Sequence, residues 1–187
     1  FKGLEVTAEV FDLALARKFS RTAVVDVGAD AVARAFTVPK VAGVHFLRLT
    51  ARDPAGKASS RNFYWFGAGD DEIDWKNTKW FYTPTKRHAD LSALSRMPAT
   101  TLAITARFEG SGPEGSAVAV VENTGKALAF MTHLRVVEGG EEILPVYWED
   151  NYFELFPGEK REVRVAFPRG AGRPSVTAEA WNAPAVQ

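Results

Sequence analysis

Apolar and polar positions alternate along most of the chain. Leu4, Val6, Ala8 and Val10 are separated by Glu5, Thr7 and Glu9. Leu102, Ile104, Ala106 and Phe108 stand among Ala103, Thr105 and Arg107, and Val163, Val165 and Phe167 among Arg164 and Ala166. Val176, Ala178 and Ala180 repeat the pattern near the end. A strand turns successive side chains to opposite faces. A period of two therefore predicts strands with one buried face and one wet face, as in antiparallel sheets.

Turn signals punctuate these runs. Asp53-Pro54-Ala55-Gly56 fits a type I turn, with proline second and glycine fourth, and predicts a hairpin joining strands near 44–52 and 57–66. Asn123-Thr124-Gly125, Glu138-Gly139-Gly140 and Pro157-Gly158 mark further turns. About five strands are expected before residue 70 and about six after residue 99. The expected fold class is all-β, with two tandem immunoglobulin-like (fibronectin III-like) antiparallel β-sandwiches. Their boundaries are 1–82 for a first sandwich with an aromatic C-terminal extension, 83–98 for a linker, and 99–187 for the second sandwich. In the linker, Leu91, Leu94 and Met97 have roughly helical spacing, Asp90 or Thr85 is a possible N-cap, and Pro98 ends the run. A free tether is seldom this apolar, so the linker is expected to be docked and to hold at most two helical turns.

A length of 187 residues suits one large domain or two small ones, and 46% apolar against 25% charged residues is ordinary for a folded chain. There are 23 basic and 23 acidic side chains, so the basic excess of a nucleic-acid binder is missing. Residues 1–97 hold 15 basic and 11 acidic groups, and residues 98–187 hold 8 and 12, so the halves carry opposite charge. No apolar run approaches the ~20 residues of a membrane span. The chain has no cysteine, which excludes disulfides, thiolate nucleophiles and cysteine zinc sites. It starts at Phe1 with no signal-peptide pattern and reads as a piece of something longer.

Candidate chemistry is sparse. Gly110-Ser111-Gly112-Pro113-Glu114-Gly115 matches the dinucleotide pattern, but a strand is expected after it where a helix N-terminus is needed, so it reads as a hairpin loop and no cofactor is expected. His45, His88 and His133 are far apart in sequence, and Asp70, Asp71, Glu72 and Asp74 lack EF-hand spacing, so no metal is expected. Glu149 and Asp150 are adjacent, which on a strand points them to opposite faces, whereas glycosidic hydrolysis sets two carboxylates ~5–10 Å apart across one bond. Leu155-x-Pro157-Gly158 resembles the turn before strand F of immunoglobulin-like domains, without the corner tyrosine.

Residues 63–82 carry 8 of the 22 aromatic side chains: Phe63, Tyr64, Trp65, Phe66, Trp75, Trp80, Phe81 and Tyr82. Trp65 reads as a core strand residue. Trp75, Trp80 and Tyr82, which fall beyond the alternating strands, read as rings that pin a long loop onto a neighbouring domain. The alternative is a carbohydrate-binding module in which Trp75, Trp80 and Trp148 stack on sugar rings. Trp75, Trp80, Tyr82 and Trp148 are thus the candidates for carbohydrate or interdomain contact.

Together, Asn62-Phe63-Tyr64-Trp65, Asp74-Trp75, Thr83-Pro84-Thr85-Lys86 with Ala89-Asp90-Leu91, and Asp150-Asn151-Tyr152-Phe153 with Leu155-x-Pro157-Gly158-Glu159 resemble the C-terminal region of glycoside hydrolase family 2 enzymes. The branch is that of exo-β-D-glucosaminidases, mannosylglycoprotein endo-β-mannosidases and β-mannosidases. The resemblance implies a parent with a TIM barrel bearing two catalytic glutamates, and it places this chain among the sandwiches that follow the barrel. No segment here matches the barrel, so no catalytic residue is carried over and the chain itself is expected to be non-catalytic. Its expected partner is the catalytic barrel of the parent, with an oligosaccharide as the alternative, and neither nucleic acid nor membrane.

Overall fold

The computed structural model describes residues 1–109, 114–170 and 172–187. The chain divides into two units, Phe1–Met97 and Pro98–Gln187. Every pairing among the described strands is antiparallel, as the alternation implies.

The first unit is built on four strands: β1 (Leu4–Asp12), β2 (Arg17–Val25), β3 (His45–Arg52) and β4 (Ala58–Phe66), in the order β2-β1-β3-β4. The β3–β4 hairpin turns where proline and glycine required. Gly56 donates to the Asp53 carbonyl at 2.8 Å, the Asp53 carboxylate accepts from the Lys57 amide at 2.9 Å, and Gly56 sits at φ +81°. At the β1–β2 turn, Asp12 accepts from the Ala14 and Ala16 amides, both at 2.9 Å.

One face of this sheet carries Ala8, Val10 and Leu47, flanked by Phe19 and Leu49, and is covered by Phe36, Val38 and Val41. The covering layer is irregular chain between β2 and β3, not a second sheet. Pro39 lies in the middle of that segment and has no amide hydrogen to give a ladder. On the opposite face Phe46 is fully buried, its ring 5.3 Å from that of Phe63, and the Glu9 carboxylate accepts from Arg48 Nη2 at 2.8 Å. Trp65, read above as a core residue, is instead 42% exposed. It lies on β4, the edge strand of this sheet among the described strands.

The second unit is a two-sheet sandwich. One sheet has β7 (Leu102–Glu109), β8 (Glu114–Asn123), β13 (Lys160–Pro168) and β11 (Tyr147–Trp148), in the order β11-β13-β8-β7. The other has β9 (Ala129–Glu138), β10 (Glu141–Glu142), β14 (Ser175–Ala180) and β15 (Ala183–Val186), in the order β10-β9-β14-β15, with β12 (Phe153–Leu155) also paired to β9. Leu102, Val121 and Val163 from one sheet meet Leu134, Phe153, Leu155 and Ala178 from the other. Ala117, Val165 and Phe167 form a second apolar cluster with Val136. Of the dinucleotide-like pattern, residues 110–113 lie outside the described residues, and Glu114 and Gly115 already belong to β8.

The corner without its tyrosine is held by Asn123, which is fully buried. Its Nδ2 donates to the Ala127 and Leu155 carbonyls at 2.7 and 2.8 Å, and its Oδ1 accepts from Thr100 Oγ1 at 2.8 Å and the Gly125 amide at 3.1 Å. Asn182 does similar work at the β14–β15 turn, donating to the Pro98 and Leu128 carbonyls, both at 2.7 Å, and accepting from the Phe130 amide at 3.1 Å.

Four aspartates sit below the ordinary carboxylate range. For Asp12, burial pushes upward but is outweighed by hydrogen bonds from Lys18, Ala16 and Ala14 and by the Lys18 charge. The Gly3 amide and Lys2 lower Asp26, the Lys40 ammonium lowers Asp70, and the Ser92 hydroxyl and amide lower Asp90. All four lie in the first unit. A carboxylate depressed on folding stabilises above its unfolded value of 3.8, and that contribution fades as pH falls through the lower folded value. The urea midpoint of the first unit, followed by the methyl NMR signals of Ala8 and Leu47, should therefore drop between pH 6 and pH ~3. A midpoint unchanged or raised in acid would contradict this assignment.

Candidate functional site

Beyond β4 the chain makes a long hairpin. Gly67 begins it. Ala68 and Asp90 exchange amide-to-carbonyl bonds of 2.8 and 3.0 Å, and the Asp71 carboxylate accepts from the Ala89 amide at 2.8 Å. β5 (Glu72–Ile73) then pairs with β6 (Thr85–Arg87). The Asp74 amide continues the ladder to the Pro84 carbonyl at 2.8 Å. Residues 83–97 thus belong to the first unit. In its last stretch a 3-10 turn, Ser92–Arg96, buries Leu94, the Asp90 carboxylate accepts from the Ser92 amide at 2.8 Å, and Met97 is buried next to Pro98.

The tip of the hairpin is the aromatic segment. A single 3-10 turn, Trp75–Asn77, is capped by Asp74, which accepts from Asn77 Nδ2 at 2.7 Å. The Thr78 amide reaches the Trp75 carbonyl at 3.3 Å, and the Lys79 amide reaches the Tyr82 carbonyl at 2.9 Å. This backbone leaves the rings outward: Trp75 is 75% exposed, Trp80 95%, Phe81 65% and Tyr82 50%. Trp80 and Phe81 meet edge to face at 5.2 Å, and Phe81 and Tyr82 lie 5.0 Å apart and tilted. Trp148 belongs to the second unit, where it is half-buried against both of its apolar clusters. Phe81 was not singled out from the sequence, yet it is the ring that joins Trp80 to Tyr82.

Beside the hairpin base lies a cavity of about 720 Å³, floored by Val10 and Leu47 and rimmed by Lys40, Asp70, Asp71 and His88. Its polar groups are already engaged. Lys40 pairs with Asp70, and His88 Nδ1 lies 3.8 Å from the Asp71 carboxylate. Glu72 pairs with Lys86 at 3.3 Å, so the acidic cluster is a set of separate pairs.

His45 and His88 both line this cavity, and His133 belongs to the second unit. His45 stacks on Phe66 and contacts the Gly43 carbonyl at 2.8 Å, and His133 stacks on Tyr152 with Glu179 at 3.2 Å. Among the described residues no group of three or more metal-ligating side chains gathers. Of the adjacent carboxylates, Asp150 accepts from Arg161 Nη1 at 2.6 Å, and the same guanidinium lies 4.4 Å above the Phe153 ring. Arg161 thus braces Asp150 and Phe153 on the second sandwich.

A family model described as the exo-beta-D-glucosaminidase Ig-fold domain matches residues 80–183. The chain belongs to this family. Its strand content and antiparallel sheets are those of an immunoglobulin-like fold. The exo-beta-D-glucosaminidase of Amycolatopsis orientalis is 35% identical over 194 aligned residues, covering 96% of this chain and 19% of the relative. That of Streptomyces avermitilis is 33% identical, covering 96% and 21%. A mannosylglycoprotein endo-beta-mannosidase of Lilium longiflorum is 35% identical over 101 residues, covering 49% of this chain and 10% of the relative. The crystal structure of Amycolatopsis orientalis exo-chitosanase CsxA superposes with a TM-score of 0.88 at 30% identity, over 98% of this chain and 23% of that one. The chain spans about a fifth of the length of the bacterial relatives it matches.

Proposed function

We propose that this chain is the non-catalytic, β-rich part of a longer glycoside hydrolase of exo-β-D-glucosaminidase or β-mannosidase type, and that it braces a catalytic TIM barrel during carbohydrate hydrolysis. The observation that carries this is a match along 96% of the chain to glucosaminidases about five times its length. The engagement of Asp150 by Arg161 adds support, because it ties that carboxylate to a guanidinium on its own sandwich. Trp75, Trp80 and Tyr82 are the contact candidates. A second reading, a carbohydrate-binding module, is favoured by the exposure of Trp75 and Trp80.

The pure 187-residue chain should release no p-nitrophenol from p-nitrophenyl β-D-glucosaminide and no glucosamine from chitosan oligomers, and Glu149→Gln should change nothing. Turnover that disappears in Glu149→Gln would put chemistry in this chain and overturn the proposal.

A further inference from the structure

We propose that the tip of the 68–90 hairpin is a docking knob that seats in an apolar, carboxylate-rimmed socket on the catalytic part of a longer parent chain. This rests on the functional reading above. Four large rings stand within eight residues, each at least half exposed. Rings of this size remove ~150–250 Å² each from water when covered, so together they exceed what a surface normally leaves bare. The exposure is built in, since the tip backbone is tied from Asp74 to Pro84, from Trp75 to Thr78 and from Lys79 to Tyr82.

The ring planes select the occupant. A sugar lies flat on one aromatic face, and a run of sugars needs several faces turned to one side. Here Trp80 and Phe81 are inclined by 77° and Phe81 and Tyr82 by 40°. Rings so inclined share no common plane, which suits a protein concavity better than a run of pyranose faces. Charge points the same way. Lys76 and Lys79 flank the rings and, among the described residues, have no carboxylate partner, as is also true of Lys57 at the β3–β4 turn, whereas Lys2, Lys18, Lys40 and Lys86 of the same unit are paired. Lysines left unpaired around an apolar centre call for acidic groups on the rim of the partner. The catalytic part of the parent is the partner of choice because the relatives carry about four-fifths of their length outside this match.

Hydroxyl-radical footprinting of the 187-residue chain and of the complete protein encoded by its reading frame tests this, with glycosidase activity measured on the same samples. Trp80 and Phe81 should oxidise about ten-fold more slowly in the complete protein without added sugar, as at a water-excluding interface core. The double variant Lys76→Glu, Lys79→Glu should restore their oxidation. Equal oxidation in both proteins, with glycosidase activity present, overturns the knob and leaves the functional reading standing. Protection that comes only with glucosamine oligosaccharides overturns it in favour of a sugar platform, and protection of the short chain that rises with its own concentration overturns it in favour of self-association. Protection unmoved by the charge reversal removes the acidic rim. A complete protein with no glycosidase activity overturns the functional reading itself, and the knob's partner with it.

Discussion

Replacing Asn123 by alanine should cost the second unit about 3 kcal/mol, more than any exposed substitution. The side chain fills all four of its hydrogen-bonding positions inside the fold: two donated bonds to the Ala127 and Leu155 carbonyls, two accepted from Thr100 and Gly125. Each partner is left facing a space too dry to replace the bond. The residue also ends β8, where its own amide and carbonyl pair with Glu159 and Gly158 at 3.0 and 2.8 Å. Its loss therefore frees the 124–127 turn and the 155–159 corner together. Asn123→Asp is the informative control. It keeps the two accepted bonds but sets a buried carboxylate oxygen against two carbonyl oxygens, so it should be no better than alanine. Urea unfolding read by Trp148 fluorescence measures both. A loss under ~1 kcal/mol for Asn123→Ala would mean that water or a shifted Thr100 repairs the corner.

The contrast between Asn123 and the strands around it shows what a sequence states openly. Val163, Val165 and Phe167 announce their burial by alternation, and Asp53-Pro54-Ala55-Gly56 announces its hairpin by the backbone angles those residues favour. Asn123 looked like an ordinary turn asparagine, because its partners, Leu155 and Thr100, are remote in sequence and reached through carbonyls and a hydroxyl that carry no pattern. The cover of the first sheet was hidden for a related reason. Phe36 and Val38 alternate as strand residues would, but Lys40 and Val41 break the period after Pro39, and pairing also requires a free edge that the local sequence does not reveal. At the candidate site, the density of rings was plain. Their geometry was not, since the pairing of Glu72 with Arg87 joins two segments that look like a loop and a linker, and only that register makes the aromatic run the tip of a hairpin.

That register depends on a close backbone approach at the hairpin base, and Gly67→Ala should break it. A Cβ at this position would lie 2.7 Å from the Ala89 Cβ and 3.0 Å from the Asp90 carbonyl oxygen. Neither obstacle can swing away, as both belong to the returning arm at the point where Ala68 and Asp90 exchange their two bonds. The arms must separate, which costs about 2 kcal/mol of local stability, comparable to other substitutions that force backbone apart. The loss is directional. The sheet core of Ala8, Val10 and Leu47 is held by the pairing of β1 with β3 and should keep its NMR signals, while everything from 68 to 97 hangs on the parted base. Lys86, Arg87 and Arg96 are already exposed, but the freed backbone around them can then enter the trypsin cleft, so limited digestion should cut the variant in the returning arm at least several-fold faster than the parent chain, with Leu94 and Met97 losing their protection from exchange with solvent. In the complete protein the same variant should also raise oxidation of Trp80 and Phe81, since a knob presented on a parted hairpin no longer meets its socket in one orientation. Digestion at the parent rate would show that Ala89 shifts to accommodate the methyl group, and that the base of the hairpin is held by the Asp71–Ala89 bond rather than by the close approach at Gly67.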